Sequence, residues 1–421
     1  MKIRLAAIAA VLLMALPGCH RAETGTEIGA VYARIARPAV WRVLARSQAD
    51  SLGLLPGDLI VSYNGEPIQS VDDLVHLQTQ ATGAGRPVPL TVLREDKEVE
   101  LVAGPGQLGI LPDAARYTSS LAIALEDILS HQGSIADYAW LAAATGEAFT
   151  FTAEPGACAM GWSGAFADEY LESLKPLFGL SFDPVYGADP VTDTLLDQPQ
   201  PAAVAKVRSE LGRGRTVLLL ADWPDGRINQ WGIAVRYDDA DSALYGYTIG
   251  SAAPVPITGF IDQVFDVRYS PVAEVDPGDL LGTVLDHALE LGQAYNDSGP
   301  QSGIAAYDVW MAALDSVPFC ATCGGSSQAC FDGVVWSLVA NKQTADEFLA
   351  DVRDALPDQV DLIDQIRSDN GVILARLDGI INSRTPVGTV ENQNKLARAV
   401  GEIQVVETDL LQLYEELLGE L

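Results

Sequence analysis

Side chains that could act as nucleophiles, bases or metal ligands are scarce in this sequence of 421 residues, which holds five cysteines and four histidines. A thiolate nucleophile needs a base, most often an imidazole, to take its proton. The histidines are His20, His76, His131 and His287. Apart from His20, which follows Cys19, no histidine lies near a cysteine in the sequence. Any catalytic pair must therefore be assembled by the fold.

Cys158 is one candidate nucleophile. It lies in a loop-like stretch, residues 155–162, that is rich in glycine and alanine and contains no base. A buried or disulfide-bonded cysteine would give the same sequence signal and is the simpler interpretation. A catalytic role for Cys158 as a nucleophile remains the alternative.

Cys320, Cys323 and Cys330 form the second cluster. A Cys-x-x-Cys pair can bind zinc or cycle between redox states, but zinc needs a fourth ligand and a redox pair needs a strand-to-helix context. Outside the cytoplasm, disulfide bonds explain these residues most directly. We therefore predict Cys158, Cys320, Cys323 and Cys330 as disulfide candidates, and we predict no metal site and no cofactor.

The first residues indicate export. A basic start, Lys2 and Arg4, is followed by an apolar run at residues 5–16 that is too short to span a bilayer. Residues 16–19 then resemble a lipobox, which implies that Cys19 is lipidated and that residues 1–19 form a lipoprotein signal. His20 after the anchor indicates the outer membrane, by analogy with lipoprotein sorting. Ordinary secretion with a free Cys19 is the alternative.

The charge of the chain restricts its partners. It carries 57 acidic against 26 basic residues, a formal charge of −31. Such a chain repels phosphate backbones and anionic lipid headgroups. We therefore exclude nucleic acid as a partner and attribute the acidic excess to a solvated surface.

The elements that must position these residues divide the mature chain into three regions, so we predict a multidomain protein. Residues 26–112 alternate four strand-like runs with one amphipathic helix, at residues 71–80, and indicate a β-rich domain. Residues 113–277 open with a helix and continue into strands at 216–221 and 231–237, an α+β order. Residues 278–421 have apolar positions at three- and four-residue spacing and indicate an all-α domain.

The first region resembles a bacterial PDZ domain. Residues 47–60 carry the signature, with Pro56-Gly57-Asp58 as a turn, and the hairpin signal Asn64-Gly65 follows. The helix from Val71 and the closing residues 92–94 come in the expected order.

The PDZ resemblance implies a partner: a protein C-terminal tail or extended peptide, captured as an added strand whose carboxylate meets backbone amides. In the bacterial variant the carboxylate-binding loop lies at the N-terminal edge, where only residues 27–30 have the apolar-Gly-apolar form. Peptide-binding residues would then be Ile28, Gly29 and Ala30, with Leu74 and Leu77 on the helix. Ile28 and Gly29 could instead open an edge strand, and both leucines could instead face the core.

The remaining chain resembles a group related to double-glycine cysteine peptidases, which includes the butirosin-biosynthesis acyltransferase with its papain-like domain. The resemblance rests on residues 121–133, 146–151, 230–238 and 303–310. It implies a papain-like domain at 113–277, followed by the helical domain.

The papain-like resemblance implies a catalytic cysteine at the start of the first helix and a histidine on a later strand. Ser119 and Ser120 occupy the helix start, and Gln230 precedes Trp231 where the relatives carry histidine. A serine needs a strong base, and glutamine cannot accept its proton. We therefore expect a membrane-anchored binding protein with no catalytic residues. The alternatives are an active cysteine peptidase or acyltransferase using Cys158 or Ser119, and an envelope scaffold that assembles through the helical domain.

Overall fold

The computed structural model describes residues 27–134, 136–153, 167–187, 199–224, 227–272, 275–294, 300–315 and 327–421. The predicted lipidation site Cys19 therefore lies outside the described residues. Within the described residues, no helix is both long and apolar enough to cross a membrane.

The first region is a β-rich domain with its own core. Its elements are β1 (Val40–Val43), α2 (Gln48–Leu52), β2 (Leu59–Tyr63), β3 (Glu66–Pro67), α3 (Val71–Ala84), β4 (Val88–Arg94), β5 (Lys97–Ala103) and β6 (Ile110–Pro112). Four strands form an antiparallel sheet in the order β3-β2-β4-β5, while β1 pairs with β6. The four strand-like runs and the helix predicted here are all present.

Local sequence explains where α3 begins and which side it buries. Ser70 and Asp73 form a capping box, each side chain accepting a backbone amide of the other residue. Leu74, Leu77 and Ala81, spaced three and four residues apart, are buried in the domain core with strands β2 and β4. The helix therefore packs on the sheet through this face.

A short helix, α1 (Ala30–Ile35), precedes the β-rich domain but does not join its core. Its Val31, Tyr32 and Ile35 belong to the hydrophobic cluster of the following regions. The apolar face of α1 therefore packs outside the core of the β-rich domain, although α1 lies within the predicted bounds 26–112.

The middle region is built on an antiparallel sheet of six strands in the order β12-β11-β10-β9-β13-β8. Its strands are β8 (Leu180–Gly187), β9 (Thr216–Trp223), β10 (Arg227–Asp238), β11 (Ala243–Thr248), β12 (Val255–Pro256) and β13 (Ile261–Tyr269), and a short β7 (Thr152–Ala153) pairs with β14 (Gln301–Ser302). Its helices are α4 (Ser120–His131), α5 (Tyr138–Ala144), α6 (Leu174–Phe178) and α7 (Pro201–Gly212).

The C-terminal region is helical, as predicted. It comprises α8 (Pro277–Gln293), α9 (Gly303–Leu314), α10 (Ser327–Arg353), α11 (Val360–Ser383) and α12 (Val390–Glu420). One hydrophobic cluster runs from α4 and α5 through all five of these helices. The predicted division at residue 277 thus separates types of secondary structure but not separate cores.

Candidate functional site

The predicted N-terminal carboxylate-binding segment is bonded to the chain's own carboxylate. The backbone amide of Gly29 donates to Oδ2 of Asp127 at 2.7 Å, and that of Val31 donates to Oδ1 at 2.9 Å. Asp127 is fully buried on α4. Burial raises its pKa, while the two amide hydrogen bonds act in the opposite direction. These amides therefore hold α1 against the middle region.

Gly29 fits this position because it has no side chain. Its φ is +97°, and a Cβ there would lie 2.2 Å from the ring of Tyr247. Ile28 packs with the cluster of the middle region, whereas Leu74 and Leu77 lie in the core of the β-rich domain. The structure thus does not bring the two halves of the predicted peptide site together.

Leu74 and Leu77, the two candidate peptide-binding residues on α3, lie on its buried side. Leu74 and Leu77 are only 3% and 7% exposed, so they are core residues with no surface to offer a peptide. Val75, by contrast, is 56% exposed, a large exposed fraction for an apolar side chain. Val71 and Gln78 lie four residues before and three residues after Val75, on the same helical face.

A second apolar-Gly-apolar segment, Leu108-Gly109-Ile110, ends the loop after β5 and begins β6. Its backbone is fixed against the β-rich domain: the amide of Ala49 donates to Leu108 O at 2.8 Å, and that of Leu44 to Gly109 O at 2.9 Å. Leu108 is fully buried in the domain core, and Gly109 has a φ of +77°. The chain then continues as β6, antiparallel to β1.

Gln78 joins α3 to this segment, because its Oε1 accepts the backbone amide of Leu108 at 3.2 Å. We call Val71, Val75 and Gln78, together with residues 108–112, the α3–β6 surface. It combines a strand, a glycine-containing loop and one face of a helix. Sequence reasoning missed it because the PDZ resemblance places the carboxylate-binding loop at the N-terminal edge, although the same apolar-Gly-apolar signal follows β5.

A buried ion pair holds the turn of the PDZ-like signature. Asp58 is 1% exposed and accepts Nε and Nη2 of Arg94 at 2.7 and 2.6 Å and the amide of Leu55 at 2.9 Å. Burial by itself would raise the pKa of Asp58, but the hydrogen bonds and the positive charge of Arg94 lower it overall. This carboxylate therefore has a structural role.

The structure brings the start of α4 to the strand position expected for the histidine. The amide of Trp231 donates to Oγ of Ser120 at 3.0 Å, across 111 residues. Oγ of Ser119 accepts the amide of Ala122 at 2.9 Å and caps the helix. The amide of Ser119 donates to the Tyr138 hydroxyl at 3.0 Å. Both serines are buried and hold the helix start in place, and Gln230 lies directly before Trp231.

Glu147 is a residue of this site that sequence reasoning did not select. It is buried, and burial raises its pKa to about 8, against the influence of the nearby Ser119 side chain. Its charge in turn raises the pKa of Tyr138, although burial is the larger cause there. Glu147 is therefore largely neutral at pH 7. In the sequence, the only indication that it belongs to the site is its position as a charged residue within the apolar run 146–151.

The described histidines are His76, His131 and His287. His131 ends α4, the helix that Ser119 begins, so about 18 Å separates them along the helix axis. Nδ1 of His287 faces the carbonyl oxygen of Ala144 at 2.7 Å, and burial lowers its pKa. His76 contacts Gln80 on α3.

Cys330 takes part in a disulfide bond. The other predicted disulfide residues, Cys158, Cys320 and Cys323, lie outside the described residues. Among the described residues, no group of three or more histidine, cysteine, aspartate or glutamate side chains is arranged to hold a metal ion.

Comparison with known proteins concerns the β-rich domain. Residues 40–94 match the PDZ domain family. A stretch of 69 residues is 41% identical to a protein of Hahella chejuensis (strain KCTC 2396) named "Probable periplasmic serine endoprotease DegP-like". The match covers 16% of this chain and 14% of that protein's length. The predicted PDZ domain is thereby confirmed over residues 40–94.

Proposed function

We propose that this chain is an envelope protein whose PDZ domain binds an extended peptide at the α3–β6 surface. The observation that carries the proposal is the hydrogen bond of Gln78 to the loop between β5 and β6, which puts a helix face beside a glycine loop and a strand. A peptide laid along β6 would gain main-chain hydrogen bonds from the strand and apolar contact from Val75. The periplasmic assignment in the relative's name supports the envelope location.

Two exposed valines provide a matched test of this surface. Val75 lies on α3 and is 56% exposed, while Val102 lies on β5 and is 67% exposed. A peptide selected from a random phage-displayed library would be titrated against the wild type and the variants Val75→Glu and Val102→Glu. We expect the affinity for the peptide to fall at least tenfold in Val75→Glu and to change less than twofold in Val102→Glu. Equal affinities for the two variants would place the peptide elsewhere.

We further propose that the middle region holds a ligand or partner without cleaving it. Ser119 and Ser120 are buried, and their hydroxyl oxygens already accept backbone amides. Burial keeps both hydroxyls away from a substrate, and each amide hydrogen bond engages one of the two lone pairs of its oxygen. In this proposal the middle region keeps a papain-like scaffold but not the catalytic chemistry.

The competing cysteine peptidase or acyltransferase has a clear signature. A thiol-reactive activity probe would label the protein, and Cys158→Ala would abolish the labelling. We expect no hydrolysis of peptide or thioester substrates by the wild type and none by Ser119→Ala. Turnover that disappears in either variant would overturn the non-catalytic role.

The proposed anchor is a lipid on Cys19, supported by the basic start, the apolar run and the lipobox-like residues before it. Several acyl chains together would hold the protein on a membrane, at about 0.8 kcal/mol per buried methylene. Metabolic labelling with an alkyne fatty acid should mark the wild type and not Cys19→Ala. Labelling that persists in the variant would contradict the anchor.

A further inference from the structure

Resting on this proposed function, we infer that the α3–β6 surface takes an extended internal segment of a partner protein in preference to a free C-terminal tail. The reason is the side chain of Gln78. Its carbonyl oxygen accepts the hydrogen bond of the Leu108 amide, a donor of the loop that a terminal carboxylate would need.

The loop has little freedom to offer a replacement donor. The carbonyl oxygens of Leu108 and Gly109 accept the amides of Ala49 and Leu44, so its backbone is bonded on both sides of the glycine. A Cβ on Gly109 would lie 2.4 Å from Cβ of Ser47, which shows how closely the loop approaches α2. A carboxylate would therefore have to displace Gln78, whose side chain is buried, rather than move the loop.

Charge adds to this preference. Residues 40–112 include nine acidic and five basic residues, and Asp72 and Asp73 lie exposed on the first turn of α3. A free tail adds a negative charge beside them, whereas an internal segment adds none.

Three of those basic side chains already bind within the protein. Arg94 pairs with Asp58 at 2.6 Å and Arg42 with Asp378 at 2.6 Å. Arg46 donates to the carbonyl oxygen of Asn382 at 2.8 Å. The charges of Arg94 and Arg42 are paired with aspartates, so these two arginines attract a terminal carboxylate only weakly.

The test uses two phage-displayed random heptapeptide libraries, one ending in a free carboxylate and one flanked by fixed residues on both sides. A selected sequence is then synthesised as a free acid, as a C-terminal amide and with five further residues at its C-terminus. For the wild type we expect the amide and the extended form to bind within twofold of each other and the free acid at least fivefold more weakly. In Gln78→Ala, the affinity for the free acid should rise to within twofold of the affinity for the amide.

Two further variants keep the test decisive if Gln78→Ala folds poorly. Gln78→Glu retains an acceptor for the Leu108 amide and adds a negative charge, so it should reject the free acid more strongly than the wild type does. Gln80→Ala, on the exposed side of α3, should behave like the wild type. Tighter binding of the free acid by the wild type would overturn the inference and leave the proposed peptide binding intact. If neither library yields a peptide whose binding depends on Val75, both the inference and the proposed peptide binding are overturned.

Discussion

Asp127 and Gly29 are joined by a 2.7 Å hydrogen bond across 98 residues, in which the backbone amide of the glycine donates to the buried carboxylate. A second amide, that of Val31, reaches the other oxygen of the same carboxylate. Beside them, Nη2 of Arg34 donates to Oε1 of Glu126 at 2.7 Å. The segment before the PDZ domain is thus fastened to the middle region.

Replacing Asp127 should detach α1. In Asp127→Asn the carboxamide nitrogen cannot accept an amide, so one buried N–H loses its partner at a cost of about 2 kcal/mol. We expect lower stability in urea and faster hydrogen exchange at residues 28–35. Glu98→Gln, on the exposed part of β5, should stay within about 0.5 kcal/mol of the wild type. Unchanged exchange at residues 28–35 in Asp127→Asn would contradict the fastening role.

Glu147 should make the protein less stable as the pH rises. Its carboxyl has a folded pKa of about 8 against an ordinary value of 4.5, so the folded state holds the proton more tightly than the unfolded state. The associated stability is complete below pH 4.5 and is lost as the pH rises to 8, at up to about 1.4 kcal/mol per pH unit. Glu147→Gln, which cannot ionise, should match the wild type at pH 5 and exceed its stability at pH 8.

Urea unfolding at pH 5, 6.5 and 8 measures this difference. Glu126 also has a raised pKa, to about 7, but burial is opposed there by Arg34. Because Glu126 is present in both proteins, its contribution cancels. A gap between wild type and Glu147→Gln that does not grow with pH would show that the carboxyl is ionised in the folded state.

The Asp58–Arg94 pair should stabilise the PDZ domain most strongly above the pH at which Asp58 is protonated. The pKa of Asp58 is lowered from 3.8, so its contribution is present above about pH 4 and is lost as the pH falls below that value. Asp58→Asn should cost about 2 to 3 kcal/mol at pH 7, because it leaves Arg94 without its charged partner. Hydrogen exchange of β2 and β4 would report the loss. Asp96→Asn, in the exposed β4–β5 hairpin, should have little effect.

The helical region contains a buried ion pair whose loss should be costly. Nζ of Lys342 contacts both carboxylate oxygens of Glu407, at 2.7 and 2.8 Å, and the Tyr307 hydroxyl donates to the same carboxylate at 2.8 Å. Lys342→Met leaves a buried charge unpaired, at a cost of about 3 to 5 kcal/mol. The double variant Lys342→Met with Glu407→Gln should recover part of this loss in chemical unfolding. A double variant no more stable than the single one would argue against the charge as the cause.

Regular elements could be predicted because their signals are local. The capping box of Ser70 and Asp73 and the spacing of Leu74, Leu77 and Ala81 indicate α3 without knowledge of the rest of the chain. The alternating strands of the PDZ domain and the apolar faces of the C-terminal helices are equally local. The face of α3 that is exposed to a peptide could not be predicted in this way, because Leu74 and Val75 are both apolar and only packing decides which of them faces the sheet.

The sequence alone predicted a PDZ domain in the first region, which the family match confirms over residues 40–94, followed by a mixed and then a helical region. Only the tertiary structure decided that Gly29 binds Asp127, that Gln78 caps Leu108 and that Glu147 lies buried beside Ser119. Each of these relationships joins residues 28 or more positions apart. Hydrophobic periodicity records which side of an element is buried, but it carries no information about which distant polar group will meet a given amide.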